Sequence, residues 1–149
     1  MAARQKPVFE LGYALSFFGF AWILYQRHHG QEIPVDLLSF QALLSLVILF
    51  TLAASYFATA RLGAHALMQQ HGRDRDTLTR MAERMDDFAN GRDPDSMSLA
   101  LYAGMAMAAG FVLPAMLAVF AHVHFCRKAP EIAVALRARV ADLNGPSPR

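Results

Sequence analysis

Apolar and polar positions along this chain fall into long blocks. Residues 11–26, 37–60 and 96–126 contain no Lys, Arg, Asp or Glu, and polar connectors separate the three runs. Each of those four residues is costly at the centre of a bilayer, so their exclusion from three long stretches points to helices shaped by lipid. At about 1.5 Å of rise per residue, the 24-residue second run makes a helix of roughly 36 Å and the 31-residue third run one of roughly 46 Å, both longer than the roughly 30 Å hydrocarbon core. The 16-residue first run gives only about 24 Å and spans if Pro7, Val8 and Phe9 extend it, with Glu10 at the headgroups. Tyr13 near one of its ends and Trp22 and Tyr25 near the other suit interfacial belts.

The pattern therefore predicts an all-α integral membrane protein with three transmembrane helices. Its parts are an N-terminal tail (1–10), transmembrane helices at 11–26, 37–60 and 96–126, a short loop (27–36), a polar loop (61–95) and an amphipathic C-terminal tail (127–149). A buried core helix of a soluble protein is the competing reading of the first run. A cleaved signal peptide fits poorly, because the run ends in Ile23, Leu24, Tyr25, Gln26 and Arg27 instead of small residues, so a retained signal anchor is expected.

Within the polar loop, Leu78, Met81, Met85 and Phe88 recur at spacings of three, four and three, which predicts an amphipathic helix over about 77–90. Asp74 or Asp76 can cap its start, and Asn90 with Gly91 can end it. Acids and bases alternate on the opposite face, at Arg80, Glu83, Arg84, Asp86 and Asp87, unlike the basic face of a lipid-sensing helix. The apolar face is expected to dock a partner protein through adaptable Met side chains, or else to fold back on the chain's own bundle. Beyond the third run, Pro130 and Glu131 open a predicted short interfacial helix with Ile132, Leu136 and Val140 on one face, followed by a frayed tail from Asn144.

Small residues at spacing four suggest close helix packing: Gly12 with Ser16, Gly104 with Ala108, and Ala106 with Gly110. Pro114, mid-run, predicts a kink.

Three spans would bring His28 and His29 to the same membrane face as His122, His124 and Cys126. Neutral imidazole and thiolate are common ligands of zinc, copper and haem, so these five residues are the candidate metal or haem site. Span-terminating polar residues beside Arg27 and Arg127 are the plainer reading, with no cofactor.

With three spans, Arg4, Lys6 and the six Arg of the 61–95 loop share one face, against six Lys and Arg on the other, which favours a cytoplasmic N-terminus and loop. A net charge of +2 without a basic stripe argues against nucleic acid as a partner, leaving the lipid bilayer and other membrane proteins or further copies of the chain. No Walker lysine, nucleophile elbow or His-Glu-x-x-His is present, and the uncharged interiors of the runs disfavour a self-contained transporter. Abundant Ala, Arg, Leu and Met with only two Lys suggests a bacterial gene, hence the inner membrane. The leading expectation is a non-enzymatic structural or accessory subunit of a secretion, conjugation or respiratory assembly. A haem- or metal-binding electron-transfer subunit and a holin-like pore former are the alternatives.

Overall fold

A computed structural model describes residues 6–72 and 74–144. Arg4, Arg73 and the tail from residue 145, which the sequence reading expected to fray, lie outside them. The chain is all-α. Its helices are α1 (Lys6–His28), α2 (Val35–His71), α3 (Arg75–Ala89), α4 (Pro94–Ala108) and α5 (Val112–Asn144), with no strand among the described residues. Among those residues one helix, α2, is long and apolar enough to cross a membrane by length and composition. The helices divide into two compact units, Met1–Ala54 with Ser98–Phe120 and Ser55–Met97 with Ala121–Arg149.

In the first unit, α1 includes Pro7, Val8 and Phe9, and its 23 residues reach about 34 Å. The helix stops where the N–H of Gly30 donates to the Arg27 carbonyl (3.1 Å) and that of Gln31 to the Gln26 carbonyl (3.0 Å). Leu11, Leu15, Phe18, Trp22 and Tyr25 line its exposed face, while Ser16, Phe20 and Ile23 are buried. The first part of α2 is arranged alike, with Phe40, Leu43, Val47 and Phe50 outward and Gln41, Ser45, Ile48 and Leu49 inward.

The third uncharged run is not one helix, which corrects the single continuous helix expected over 96–126. It breaks at Gly110, whose φ of 101° is open to glycine and strained for other residues. There the N–H of Gly110 donates to the Met107 carbonyl (3.0 Å) and that of Phe111 to the Ala106 carbonyl (2.8 Å), a Schellman termination that satisfies the last carbonyls of α4. Pro114 consequently lies in the first turn of α5, where no intrahelical partner awaits its missing N–H, and the chain turns four residues before the proline.

In the second unit, α2 continues eleven residues past the end of its apolar run, through a non-helical Gly63, to His71. Asp93 caps α4, accepting from the Asp95 N–H at 2.9 Å, with Pro94 at the first helical position. α3 matches the predicted amphipathic helix closely: Asp74 caps it by accepting from the Thr77 N–H at 3.2 Å, and Asn90 and Gly91 end it. Its apolar face joins α5 in one core of Leu78, Ala82, Met85, Phe88, Phe125, Ala129, Ile132, Ala133 and Leu136.

That core overturns two expectations. Pro130 opens no separate helix, because α5 runs unbroken through it. Pro130 removes one ladder bond, to the Cys126 carbonyl, but the neighbouring turns are anchored by buried Ala129, Ile132 and Ala133. The segment is likewise not isolated from the 61–95 loop, since it packs against α3 and Arg137 pairs with Asp86.

Candidate functional site

A four-residue polar group inside the first unit is the most extensive hydrogen-bonded side-chain cluster among the described residues, and it was not anticipated. Gln41 and Ser45 are one helical turn apart on α2 and share a face. The Gln41 Nε2 donates to the Ser16 carbonyl at 2.7 Å, with Ser16 Oγ and Ser45 Oγ each 3.2 Å away. Ser45 Oγ donates back to the Gln41 carbonyl (2.6 Å), and Ser16 Oγ lies 3.1 Å from Ser45 Oγ and 2.7 Å from the Tyr102 hydroxyl. All four residues are buried, and the Tyr102 ring sits between those of Tyr13 and Phe20, with centroids 4.8 and 5.5 Å away. A Cβ at Gly19 would collide with the Gln41 amide, so glycine here gives the side chain room. The signal in the sequence was Gln and Ser at i, i+4 in a run that is otherwise apolar. The group braces α1, α2 and α4 through hydrogen bonds that run among its own four residues.

The expected packing positions fare unevenly. Ser16 is buried, through hydrogen bonding. Gly12 and Gly104 have open space where a Cβ would point, and Ala108 is exposed. Gly110 forms the turn after α4. The buried stripe of α4 is instead Leu99, Tyr102, Ala103 and Ala106, a different face from that of Gly104 and Ala108.

The five candidate ligands do not form one group. His28 and His29 stand exposed at the end of α1, their rings 5.4 Å apart, and the His29 Nδ1–H donates to the Tyr25 carbonyl at 2.9 Å, finishing the helix. His122 and Cys126 are one turn apart in the second unit, with Nε2 and Sγ 3.4 Å from each other. His122 packs between Tyr56 (4.7 Å) and Phe88 (6.1 Å). His124 is exposed and lies beside Phe57. Among the described residues no three His, Cys, Asp or Glu side chains come together as a metal-binding group. A zinc site takes four ligands and a bis-imidazole haem two facing histidines, and the His122–Cys126 contact supplies neither.

The face proposed for partner docking is covered. Leu78, Met85 and Phe88 are buried, and Met81 packs against the same core, so this apolar stripe belongs to the second unit's own interior. What α3 leaves outward is charged: Arg84 bridges Asp93 (3.7 Å) and Asp95 (2.5 Å), and Arg137 reaches Asp86 from α5. Comparison with family models, with curated proteins and with solved structures found no match to this chain.

Proposed function

We propose that this chain is an integral protein of the bacterial inner membrane, serving without catalysis as a structural or accessory subunit of a larger membrane assembly. The observation that carries the membrane reading is the apolar outer surface of the first unit, around an interior that holds polar groups as well as apolar ones. Phe18, Trp22, Phe40, Leu43, Phe50 and Leu113 face outward there, while Ser16, Gln41, Ser45 and the Tyr102 hydroxyl are inside. Such an arrangement wastes apolar surface in water but suits lipid, where polar groups must find partners within the protein. Glu10 and Arg27 border the uncharged part of α1, and Asp36 and Arg61 that of α2, at the level of headgroups.

The subunit reading rests on how the chain spends its polar groups. The hydrogen bonds of the buried network run among its own residues and brace three helices, and the apolar face of α3 is consumed in the second unit, which leaves an apolar belt and a charged helical surface for other molecules to meet. Membranes carrying a tagged chain test both parts. The chain is expected to resist alkaline carbonate extraction and to purify in mild detergent with stoichiometric partners. Release by carbonate would end the membrane reading, and a chain purified alone would end the subunit reading.

A further inference from the structure

We infer that the third uncharged run is a re-entrant helical hairpin, its apex at residues 109–111 held inside the bilayer, and that the N-terminus, the 61–95 segment and the C-terminal helix all face the cytoplasm. The inference rests on the membrane reading and changes its topology from three spans to two spans and a hairpin.

The first support is the core of the second unit. Leu78 and Ala82 of α3 share it with Ala133 and Leu136 of α5, and Asp86 pairs with Arg137. Side chains packed in one core cannot stand on opposite sides of a hydrocarbon layer about 30 Å thick. Residues 98–120 must therefore enter and leave by the same face.

Depth is the second. From Ser98 to Ala108 the helix rises only about 15 Å, well short of a crossing. Contacts along α1 give the same answer: the Tyr13 hydroxyl donates to the Ser98 carbonyl at 3.0 Å, and Phe111 at the apex packs against Phe20 with centroids 5.6 Å apart. Beyond Phe20, α1 continues for eight residues, about 12 Å, to His28. The apex thus stops level with the middle of α1.

At the apex the N–H groups of Gly110 and Phe111 donate to the Met107 and Ala106 carbonyls, and Pro114 has no N–H to leave unpaired in the first turn of α5. Leu113, 81% exposed, and Val112 point outward from it. In water this would be an apolar knob, and in acyl chains it is at home.

Charge is the third support, and it is independent of packing. Of the fourteen Lys and Arg, this topology leaves only Arg27 on the far side and gathers the other thirteen on one face, where three full spans divided them eight to six. A bias of that size assigns the crowded face to the cytoplasm.

The test uses the full chain with Cys126→Ser and single cysteines at exposed positions: Gln31→Cys, Asp87→Cys, Leu113→Cys and Ala141→Cys. A membrane-impermeant maleimide, which requires a hydrated thiolate, is applied to right-side-out and inside-out vesicles. Expected is labelling of position 31 only in right-side-out vesicles, of 87 and 141 only in inside-out ones, and of 113 only after detergent. Labelling of 141 in right-side-out vesicles would restore three spans and overturn the inference, and labelling of 113 there would mean a complete crossing and overturn the buried apex. A C-terminal reporter active only in the periplasm, if active, also overturns it without any substitution in the chain. Carbonate release of the unmodified chain would instead undo the membrane reading itself.

Discussion

Ser16 Oγ and the Tyr102 hydroxyl lie 2.7 Å apart, both fully buried and 86 residues apart in the chain. The bond joins α1 to α4 beside the Tyr13 hydroxyl, which donates to the Ser98 carbonyl, and Gln41 extends it to α2. Tyr102→Phe keeps the ring packing and deletes this bond. The expected loss is about 0.6 kcal/mol and at most about 1.7 kcal/mol, the range found for polar contacts between membrane helices. A double-mutant cycle with Ser16→Ala, read from unfolding in detergent micelles, isolates the pair, and a coupling energy of zero would show the bond idle.

Gly19 leaves space for the Gln41 amide, so Gly19→Ala forces that side chain from its place on the Ser16 carbonyl. Overpacking of this kind costs about 1–3 kcal/mol. Shortening the intruding partner should relieve it: Gly19→Ala combined with Gln41→Ala is expected to be less destabilised than the sum of the two single variants. Strict additivity in unfolding midpoints would mean that the two residues do not compete for space.

In the second unit, apolar burial and surface charge are predicted to contribute very differently. Leu78→Ala or Leu136→Ala empties a fully buried position and should cost about 2–5 kcal/mol. The Arg137–Asp86 pair joins the same helices, but its side chains are 56% and 36% exposed, so a double-mutant cycle should return less than about 1 kcal/mol. Proteolysis within 61–95 reports on both, rising sharply for the leucine variants and little for the charge variants.

Asp74 accepts hydrogen bonds from the Thr77 hydroxyl and backbone N–H, which hold its carboxyl below the usual value of 3.8. A depressed folded-state value means that the ionised cap stabilises the folded form above the ordinary carboxylate range, and that this contribution is lost as pH falls through the lower folded value. Asp74→Asn keeps an acceptor and removes the titration. The difference in stability between wild type and this variant should therefore shrink as pH is lowered from 6 toward 3, and a pH-independent difference in chemical denaturation would remove Asp74 from the cap's pH response.

Much of the secondary structure could be read from one dimension. The spacing of Leu78, Met81, Met85 and Phe88, with Asp74 before and Asn90–Gly91 after, defines α3 nearly to the residue because capping and amphipathicity are local properties. The break at Gly110 was harder to see. Glycine is common in lipid-facing helices, and Gly104, six residues earlier in the same run, stays helical. Its neighbour Pro114 looked like the disruptive residue, yet a proline in a first turn disturbs nothing.

The sequence by itself determined that charge is excluded from three runs, that α3 is amphipathic, and that the chain is helical, because each follows from composition or from contacts three and four residues apart. Only the tertiary structure decided what those surfaces meet. Leu78 and Leu136 stand 58 residues apart, and nothing local in either helix says that they share a core. That pairing turns a face expected to be open to a partner into an interior, and brings the C-terminal helix to the same body as the 61–95 segment. Ser16 was legible as a small packing residue beside Gly12, and nothing local linked it to Gln41 or Tyr102. Their hydrogen bonds depend on three helices arriving together, which is a property of packing and not of any single stretch of chain.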